Sequence, residues 1–231
     1  MDYATFFSRF GGSARSKHVL LVEAGADEWA SKRDKRPFRL PAASEMPKEF
    51  IRLCPWEVEY LFAVARRARV GIVETGRFNG GSLFVMACAA PEHVPIYSID
   101  RRPRDDAFLR QKLDQFCPRR RIELIVGDSQ RSLYPEIGAV DLVFIDGDHS
   151  YQGCLNDIRN WYGRLVDNGH LIFHDSYLGP HGVQDAIADF IESHPELEIV
   201  RSPFIGATHW MYPTGSIAHL IKRGPTKQPA G

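Results

Sequence analysis

The stretch Asp141-Leu-Val-Phe-Ile-Asp-Gly-Asp-His-Ser150 places a short apolar run directly before a polar segment. Residues 142–145 have the composition of a buried strand. A helix is predicted next, because apolar residues recur every three or four positions: Tyr151, Leu155, Ile158, Tyr162 and Leu165. In a parallel α/β sheet, ligands bind just beyond the carboxyl ends of the strands. The stretch therefore predicts a strand, turn and helix with two carboxylates and an imidazole at a ligand-binding edge.

Strands and helices alternate on both sides of this stretch. Seven apolar runs have strand composition: 70–73, 94–99, 122–126, 142–145, 171–173, 198–204 and 208–212. Five segments have a helical pattern: 55–68, 83–90, 105–116, 151–165 and 183–191. This alternation predicts an α/β domain of the Rossmann-like, doubly wound type. Its sheet is expected to be mostly parallel and seven-stranded, with helices on both faces.

The chain of 231 residues divides into three segments. Residues 1–49 are predicted to be an N-terminal extension, because their charged residues and prolines indicate an irregular arm, a lid or a dimerisation segment. Within it, the apolar run 19–22 could be a strand or a buried helical turn. Residues 50–223 contain the strand and helix alternation and form the predicted domain. Residues 224–231 are polar and rich in proline and glycine, which predicts a disordered tail.

Composition narrows the class of protein. The formal net charge of +0 argues against a nucleic-acid partner, and the arginines at 101–104 and 119–121 are interpreted as solvated turns. The four cysteines show no C-x-x-C spacing, and Cys88 and Cys154 fall in helical patterns, which favours reduced thiols. The sequence has neither a signal-peptide layout nor an apolar run of membrane-spanning length. A cytoplasmic protein without a membrane partner is expected.

Polar residues at the ends of three predicted strands indicate a ligand-binding corner. The glycine-rich turn 74–82 follows the first strand, where backbone can approach a ligand closely. Its spacing differs from the G-x-G-x-x-G of dinucleotide binders, and Glu74 stands where such a ligand has its phosphate, which disfavours a dehydrogenase. Asp100 ends the second strand, where a carboxylate can accept from both ribose hydroxyls. Residues 128–130 end the third, although each such residue could also simply form a turn.

These strand-end motifs resemble those of class I S-adenosylmethionine-dependent methyltransferases. The motifs are Glu74-x-Gly76-x-x-x-Gly80-x-Ser82, the single Asp100, and Gly127-x-Ser129-Gln130. The resemblance covers about 50–212 and is closest to the metal-dependent O-methyltransferases, which include catechol and antibiotic-sugar O-methyltransferases. It implies S-adenosylmethionine as cofactor, with Asp100 at the ribose, 128–130 at the adenine and the glycine turn at the amino-acid half. The implied cofactor-binding residues are Glu74, Gly76, Phe78, Gly80, Gly81, Ser82, Asp100, Asp128, Ser129 and Gln130.

The resemblance also implies a divalent metal and a catalytic base. Asp146 matches a metal-ligand position, and His174 with Asp175 matches the adjacent ligand pair after the next strand. This pair usually consists of acidic or amide side chains, and here its first member is a histidine. Oxygen ligands suit magnesium or manganese, whereas an imidazole shifts the preference toward manganese, iron or zinc. His149 falls where the family places its base, and histidine's ordinary pKa of about 6.5 suits that role.

The sequence thus predicts an O-methyltransferase that acts on a hydroxyl group of a small molecule, such as a sugar or a phenol. A metal-independent methyltransferase with His149 as the base is one alternative, and a non-catalytic cofactor-binding partner protein is another. A homo-oligomer formed through 1–49 is also possible. Several aromatic residues either contribute to the acceptor pocket or pack in the core: Tyr177, His181, Phe204, His209 and Trp210.

Overall fold

The computed structural model describes residues 1–2, 5–6, 9, 46–47, 50–53, 55–131, 134–176, 182–200 and 217–224. These ranges contain five helices of nine or more residues: α1 (Pro55–Ala65), α2 (Gly81–Ala89), α3 (Asp106–Phe116), α4 (Tyr151–Tyr162) and α5 (Val183–Glu192). They also contain seven strands: β1 (Ile72–Thr75), β2 (Ile96–Asp100), β3 (Ile122–Val126), β4 (Val140–Ile145), β5 (Leu165–Phe173), β6 (Leu197–Ile199) and β7 (Ala218–Lys222). None of the helices in the described part of the chain could cross a lipid bilayer.

The seven strands form one sheet in the order β3-β2-β1-β4-β5-β7-β6. Neighbouring strands from β3 to β5 run parallel, and β7 pairs antiparallel with both β5 and β6. Thr75, the last residue of β1, lies level with Ile99 of β2 and Ile145 of β4. The carboxyl ends of the central strands therefore lie side by side at one edge. The predicted Rossmann-like, mostly parallel, seven-stranded sheet is confirmed.

Side chains alternate between two layers of helices, because successive residues of a strand point to opposite faces of the sheet. Ile72 and Phe144 pack in one buried cluster with residues of α1, α2 and α3. Val73 and Val143 pack in a second cluster with residues of α4 and α5. The sheet is thus covered on both faces, as parallel sheets usually are. This arrangement leaves the strand ends as the edge that a ligand can reach.

Two element boundaries differ from the sequence pattern. The helical pattern extends to Leu165, but α4 ends at Tyr162 and Leu165 instead begins β5, where it pairs with Val140. The strand β7 was missed because His219 and Lys222 interrupt its apolar pattern. His219 is nevertheless buried, with its ring nitrogens 2.6 Å from the Tyr60 hydroxyl and 2.9 Å from the His170 ring.

Several sequence predictions fall outside the described residues. These are the run 19–22, the strand at 208–212, the tail beyond residue 224 and the five candidate pocket residues Tyr177, His181, Phe204, His209 and Trp210. Of the strand predicted at 198–204, the described part begins as β6 at Leu197 and ends at Ile199. Cys88, Cys117 and Cys154 are buried free thiols, in agreement with the sequence.

Candidate functional site

A cavity of about 640 Å³ opens at the carboxyl ends of β1 to β5. Eleven predicted site residues line it: Gly76, Phe78, Gly81, Ser82, Asp100, Ser129, Gln130, Asp146, His149, His174 and Asp175. Phe50, Arg52 and Leu53, from the segment before α1, line it as well and were not predicted. Three predicted residues, Glu74, Gly80 and Asp128, do not line the cavity. The fold therefore brings residues that are up to 125 positions apart in the chain, from Phe50 to Asp175, into one site.

The glycine turn after β1 needs glycine for close approaches of the backbone. Gly76 has a φ of +86°, and a Cβ atom there would lie 2.0 Å from the carbonyl oxygen of Asp146. Because Gly76 has no Cβ atom, the β1 turn can pack directly against the β4 turn. A Cβ on Gly81 would lie 2.5 Å from the carbonyl oxygen of Phe50, so this glycine admits the segment before α1. The glycines thus shape the cavity wall.

Glu74 is fully buried beneath this turn. Its two carboxylate oxygens accept hydrogen bonds from the hydroxyl groups of Ser82 and Ser98. Burial raises the pKa of Glu74 to about 7, although both hydroxyls and the nearby Arg77 favour the charged form. Glu74 therefore joins β1 to β2 and to the start of α2. Its implied contact with the cofactor's amino-acid half stays a prediction.

Arg77, a residue of the glycine turn, was not singled out from the sequence. Its guanidinium group is buried and pairs with Asp106 at the start of α3 through two hydrogen bonds of 2.8 and 2.9 Å. It also donates to the carbonyl oxygens of Ser98 in β2 and Ile125 in β3. A bidentate pair of this kind fixes orientation as well as adding energy. Arg77 thereby holds the turn on the sheet.

Asp100 lies at the mouth of the cavity, between two backbone segments. Its carboxylate accepts from the backbone N–H of Phe78 at 2.8 Å and from that of Arg102 at 2.6 Å. The Phe78 ring is 41% exposed, with the guanidinium groups of Arg52 and Arg104 at 5.7 and 5.0 Å from its centre. The carboxylate is thus held in a fixed orientation where a ligand can reach it.

The turn after β3 presents Ser129 and Gln130 to the cavity. Asp128 shapes this turn from outside, since it accepts from the Gln130 backbone N–H at 3.1 Å. The Ser129 carbonyl oxygen accepts from Asn160 of α4 at 2.6 Å, and the Gln130 side chain donates to Asp148 at 3.4 Å. The β3 and β4 turns are therefore linked by side chains across one end of the cavity.

The cavity wall also holds a cluster of Asp146, His149 and Asp175, the carboxylate–imidazole cluster. Ligand atoms of all three lie within 4.8 Å of one another. Nε2 of His149 is 3.3 Å from Oδ1 of Asp146 and 3.8 Å from Oδ2 of Asp175. Oδ1 of Asp175 is buried and has no hydrogen bond within the described residues. Two carboxylates and an imidazole at these distances are a donor set that fits a divalent cation.

His174 lies behind this cluster and is 5% exposed. Its Nδ1 is 3.1 Å from Oδ1 of Asp146 and 3.5 Å from Oδ1 of Asp175. Its Nε2 is 3.4 Å from Oε2 of Glu57, a buried glutamate of α1 that the sequence analysis missed. Burial lowers the pKa of His174, but the charges of Asp146 and Glu57 outweigh it and raise the pKa well above 6.5.

Interactions among these charged groups also shift the pKa values of Asp146 and His149. Burial raises the pKa of Asp146, but His174 and His149 outweigh this effect, and the pKa lies below its ordinary value of 3.8. The hydrogen bond to Asp146 raises the pKa of His149 above 6.5. Perturbed carboxylates and imidazoles in a cleft are a common sign of a functional site.

Comparison with known proteins agrees with this fold. Residues 73–176 match a family model described as a methyltransferase domain. An O-methyltransferase from Bacillus cereus, in complex with S-adenosylhomocysteine, aligns with a TM-score of 0.57 and 16% identity over 88% of this chain and 89% of its own. An rRNA methylase from Streptococcus thermophilus aligns with a TM-score of 0.54 and 14% identity over 73% and 95% of the two chains.

Among curated proteins, the uncharacterized protein y4gI of Sinorhizobium fredii is 30% identical over 77 residues. The match covers 32% of this chain and spans 8% of the length of that protein. Residues 73–176 are thus similar to the core of a methyltransferase domain, and the strand order of the sheet agrees with this likeness. The predicted likeness to methyltransferases is confirmed over these residues. The likenesses to solved structures extend to the fold.

Proposed function

We propose that this protein transfers a methyl group from S-adenosylmethionine to a hydroxyl group of a small molecule, with the help of a divalent cation. The observation that supports this proposal is that two chemically different groups of residues line one cavity. Asp100, Ser129 and Gln130 form a polar group suited to a nucleoside, and the carboxylate–imidazole cluster forms the other. The solved O-methyltransferase from Bacillus cereus binds the demethylated cofactor on the same fold.

The group of residues around Asp100 would bind the cofactor. The Asp100 carboxylate, fixed by two backbone N–H groups, would accept hydrogen bonds from the ribose hydroxyls. Ser129 and Gln130 would bind the adenine, and the turn from Gly76 to Ser82 would lie against the amino-acid half. The sulfonium methyl group is already activated for transfer. The protein therefore has mainly to position the acceptor and remove its proton.

The carboxylate–imidazole cluster would hold the cation and remove the proton of the acceptor. Asp146 and Asp175 offer the oxygen donors that magnesium or manganese prefers. When bound, a divalent cation acts as a Lewis acid and lowers the pKa of an acceptor hydroxyl. His149 is oriented by Asp146 and reaches the cavity, where its imidazole can take up the proton as a general base.

Chelation tests the proposal directly. After treatment with EDTA, methyl transfer is expected to stop, and added magnesium or manganese should restore it. Methylated products are detected by mass across sugars, phenols and ribosomal RNA, because one structural neighbour is an rRNA methylase. An Asp146→Asn variant should still bind S-adenosylhomocysteine but lose transfer.

Three results would reject parts of this proposal. Full activity of the chelated enzyme would favour the metal-independent mechanism with His149 as the base. Binding of S-adenosylhomocysteine without transfer to any acceptor, with or without metal, would favour the non-catalytic partner protein. Methylation of ribosomal RNA in preference to small molecules would change the acceptor class and leave the cofactor assignment intact.

A further inference from the structure

Glu57 is a buried carboxylate that the proposed mechanism does not yet use. It lies in the first turn of α1 and is 4% exposed. A charged carboxylate is costly to bury unless a partner compensates it. One such partner is His174, whose Nε2 is 3.4 Å from Oε2 of Glu57 across 117 residues of sequence. This contact joins α1 to the carboxyl end of β5.

The two nitrogens of the His174 ring face different groups. Nε2 faces Glu57, and Nδ1 faces Asp146 at 3.1 Å and Asp175 at 3.5 Å. The ring also packs against Phe144, with 6.2 Å between the ring centres. An imidazole has a second N–H to satisfy, which a carboxylate in the same position would not have. Glu57 lies in a buried environment where its carboxylate can accept this N–H.

We infer that Glu57 is a positioning residue for the carboxylate–imidazole cluster. It accepts a hydrogen bond from Nε2–H of His174 and so holds Nδ1 toward Asp146 and Asp175. Histidines at metal sites commonly donate their second N–H to a carboxylate, which fixes the tautomer and the orientation of the ring. This inference rests on the proposed metal-assisted function, and it explains how a histidine can occupy this position.

Glu57→Ala and Glu57→Gln separate positioning from simple packing. Loss of such an outer partner typically weakens metal binding by about 10–100-fold. Manganese is used as the probe, and its affinity is measured by calorimetry without acceptor or turnover. The alanine variant should bind manganese about 10–100-fold more weakly, and glutamine should recover most of this loss, because its amide oxygen can accept the same N–H. Glu59→Ala, two residues along α1, is the matched control.

A double-mutant cycle with His174→Asn shows whether Glu57 acts through His174. In the asparagine background the N–H held by Glu57 is gone, so Glu57→Ala should have no further effect on manganese affinity. Equal losses in both backgrounds would overturn the inference. So would an equal loss of S-adenosylhomocysteine affinity, because general disruption of the fold would affect both ligands.

Histidine-ring NMR tests the same contact without any metal. With ¹⁵N-labelled protein, His174 should show a protonated Nε2 with a slowly exchanging hydrogen, and Glu57→Gln should shift its resonance. A bare Nε2 in the wild type would overturn the inference. If the wild type binds no manganese, the metal part of the proposed function fails, and the NMR result alone decides the role of Glu57. If Glu57→Ala does not fold, the glutamine variant and His174→Asn provide the comparison.

Discussion

Replacement of Glu74 by glutamine is expected to change how the stability of the protein depends on pH. Glu74 is fully buried and accepts from the hydroxyls of Ser82 and Ser98. Burial raises its pKa to about 7, compared with an ordinary value of 4.5. Glutamine has nearly the same shape and can hydrogen-bond to both hydroxyls, so the substitution removes mainly the ionisable group.

The sign and size of the effect follow from this pKa. Below pH 4.5 Glu74 is protonated in both the folded and the unfolded chain, and its burial carries no charge penalty. As the pH rises to about 7, the unfolded chain releases the proton first, so stability is lost over this window. The pKa difference corresponds to about 3 kcal/mol, at about 1.4 kcal/mol per pKa unit. The loss is complete about one pH unit above the folded-state pKa of about 7.

Urea unfolding at about pH 5 and about pH 8 measures this effect. Wild type should lose about 2.5 kcal/mol more than Glu74→Gln between the two conditions, because part of the loss has already occurred at pH 5. Asp157, whose pKa burial raises to about 6, acts in the same direction in both proteins and cancels in the difference. Glu92→Gln, in an exposed turn, controls for the loss of one negative charge. Identical pH dependence in wild type and Glu74→Gln would refute the reasoning.

Three further predictions concern the cavity. Asp100→Ala should bind S-adenosylhomocysteine at least about tenfold more weakly in calorimetry, since charge-assisted bonds are worth about 1.5–3 kcal/mol each, and unchanged affinity would reject the ribose assignment. Gly76→Ala should lower the free energy of unfolding by more than about 3 kcal/mol, because a positive φ and a backbone clash combine. Gly138→Ala is its control, because a Cβ atom at this position would meet no atom within 4 Å. Equal losses of stability in the two variants would contradict the clash at Gly76. His149→Ala should slow methyl transfer by about 10²–10⁴-fold. It should also abolish a rise of the rate with pH centred above 6.5, since Asp146 raises the pKa of His149. A mutant with the wild-type pH profile would reject His149 as the general base.

Replacement of His149 also tests whether this residue is the general base or a metal ligand. The structure places its Nε2 beside both Asp146 and Asp175, so the imidazole that the resemblance assigns as a base also has the position of a metal ligand. A base and a ligand predict different losses. If His149 is the base, His149→Ala keeps its manganese affinity and loses rate. If His149 is a ligand, both fall together.

The order of strands and helices could be predicted from the sequence because it depends on local patterns. Apolar runs of four to six residues report burial on both faces of a sheet, and three- to four-residue periodicity reports a helix face. The residues at strand ends follow from that order, since parallel strands place their carboxyl ends at one edge. Asp100, Asp146 and Asp175 were therefore found without any knowledge of their contacts. The predicted helix end at Leu165 was wrong, because pairing with Val140 overrides the local helical pattern. The strand from Ala218 to Lys222 was missed, because its polar residues obscure the apolar pattern of a strand that pairs with β5.

Only the tertiary structure decided which side chains point into the cavity and which support it from behind. Glu74, Gly80 and Asp128 belong to the right motifs, yet they face Ser82 and Ser98, the side chain of Leu109 and the Gln130 backbone instead of the cavity. Arg77 and Glu57 left no local signal, because their partners Asp106 and His174 lie 29 and 117 residues away. Periodicity shows that a residue is buried, but the energy of a buried charge depends on the partner that meets it. That partner is set by how distant segments pack together.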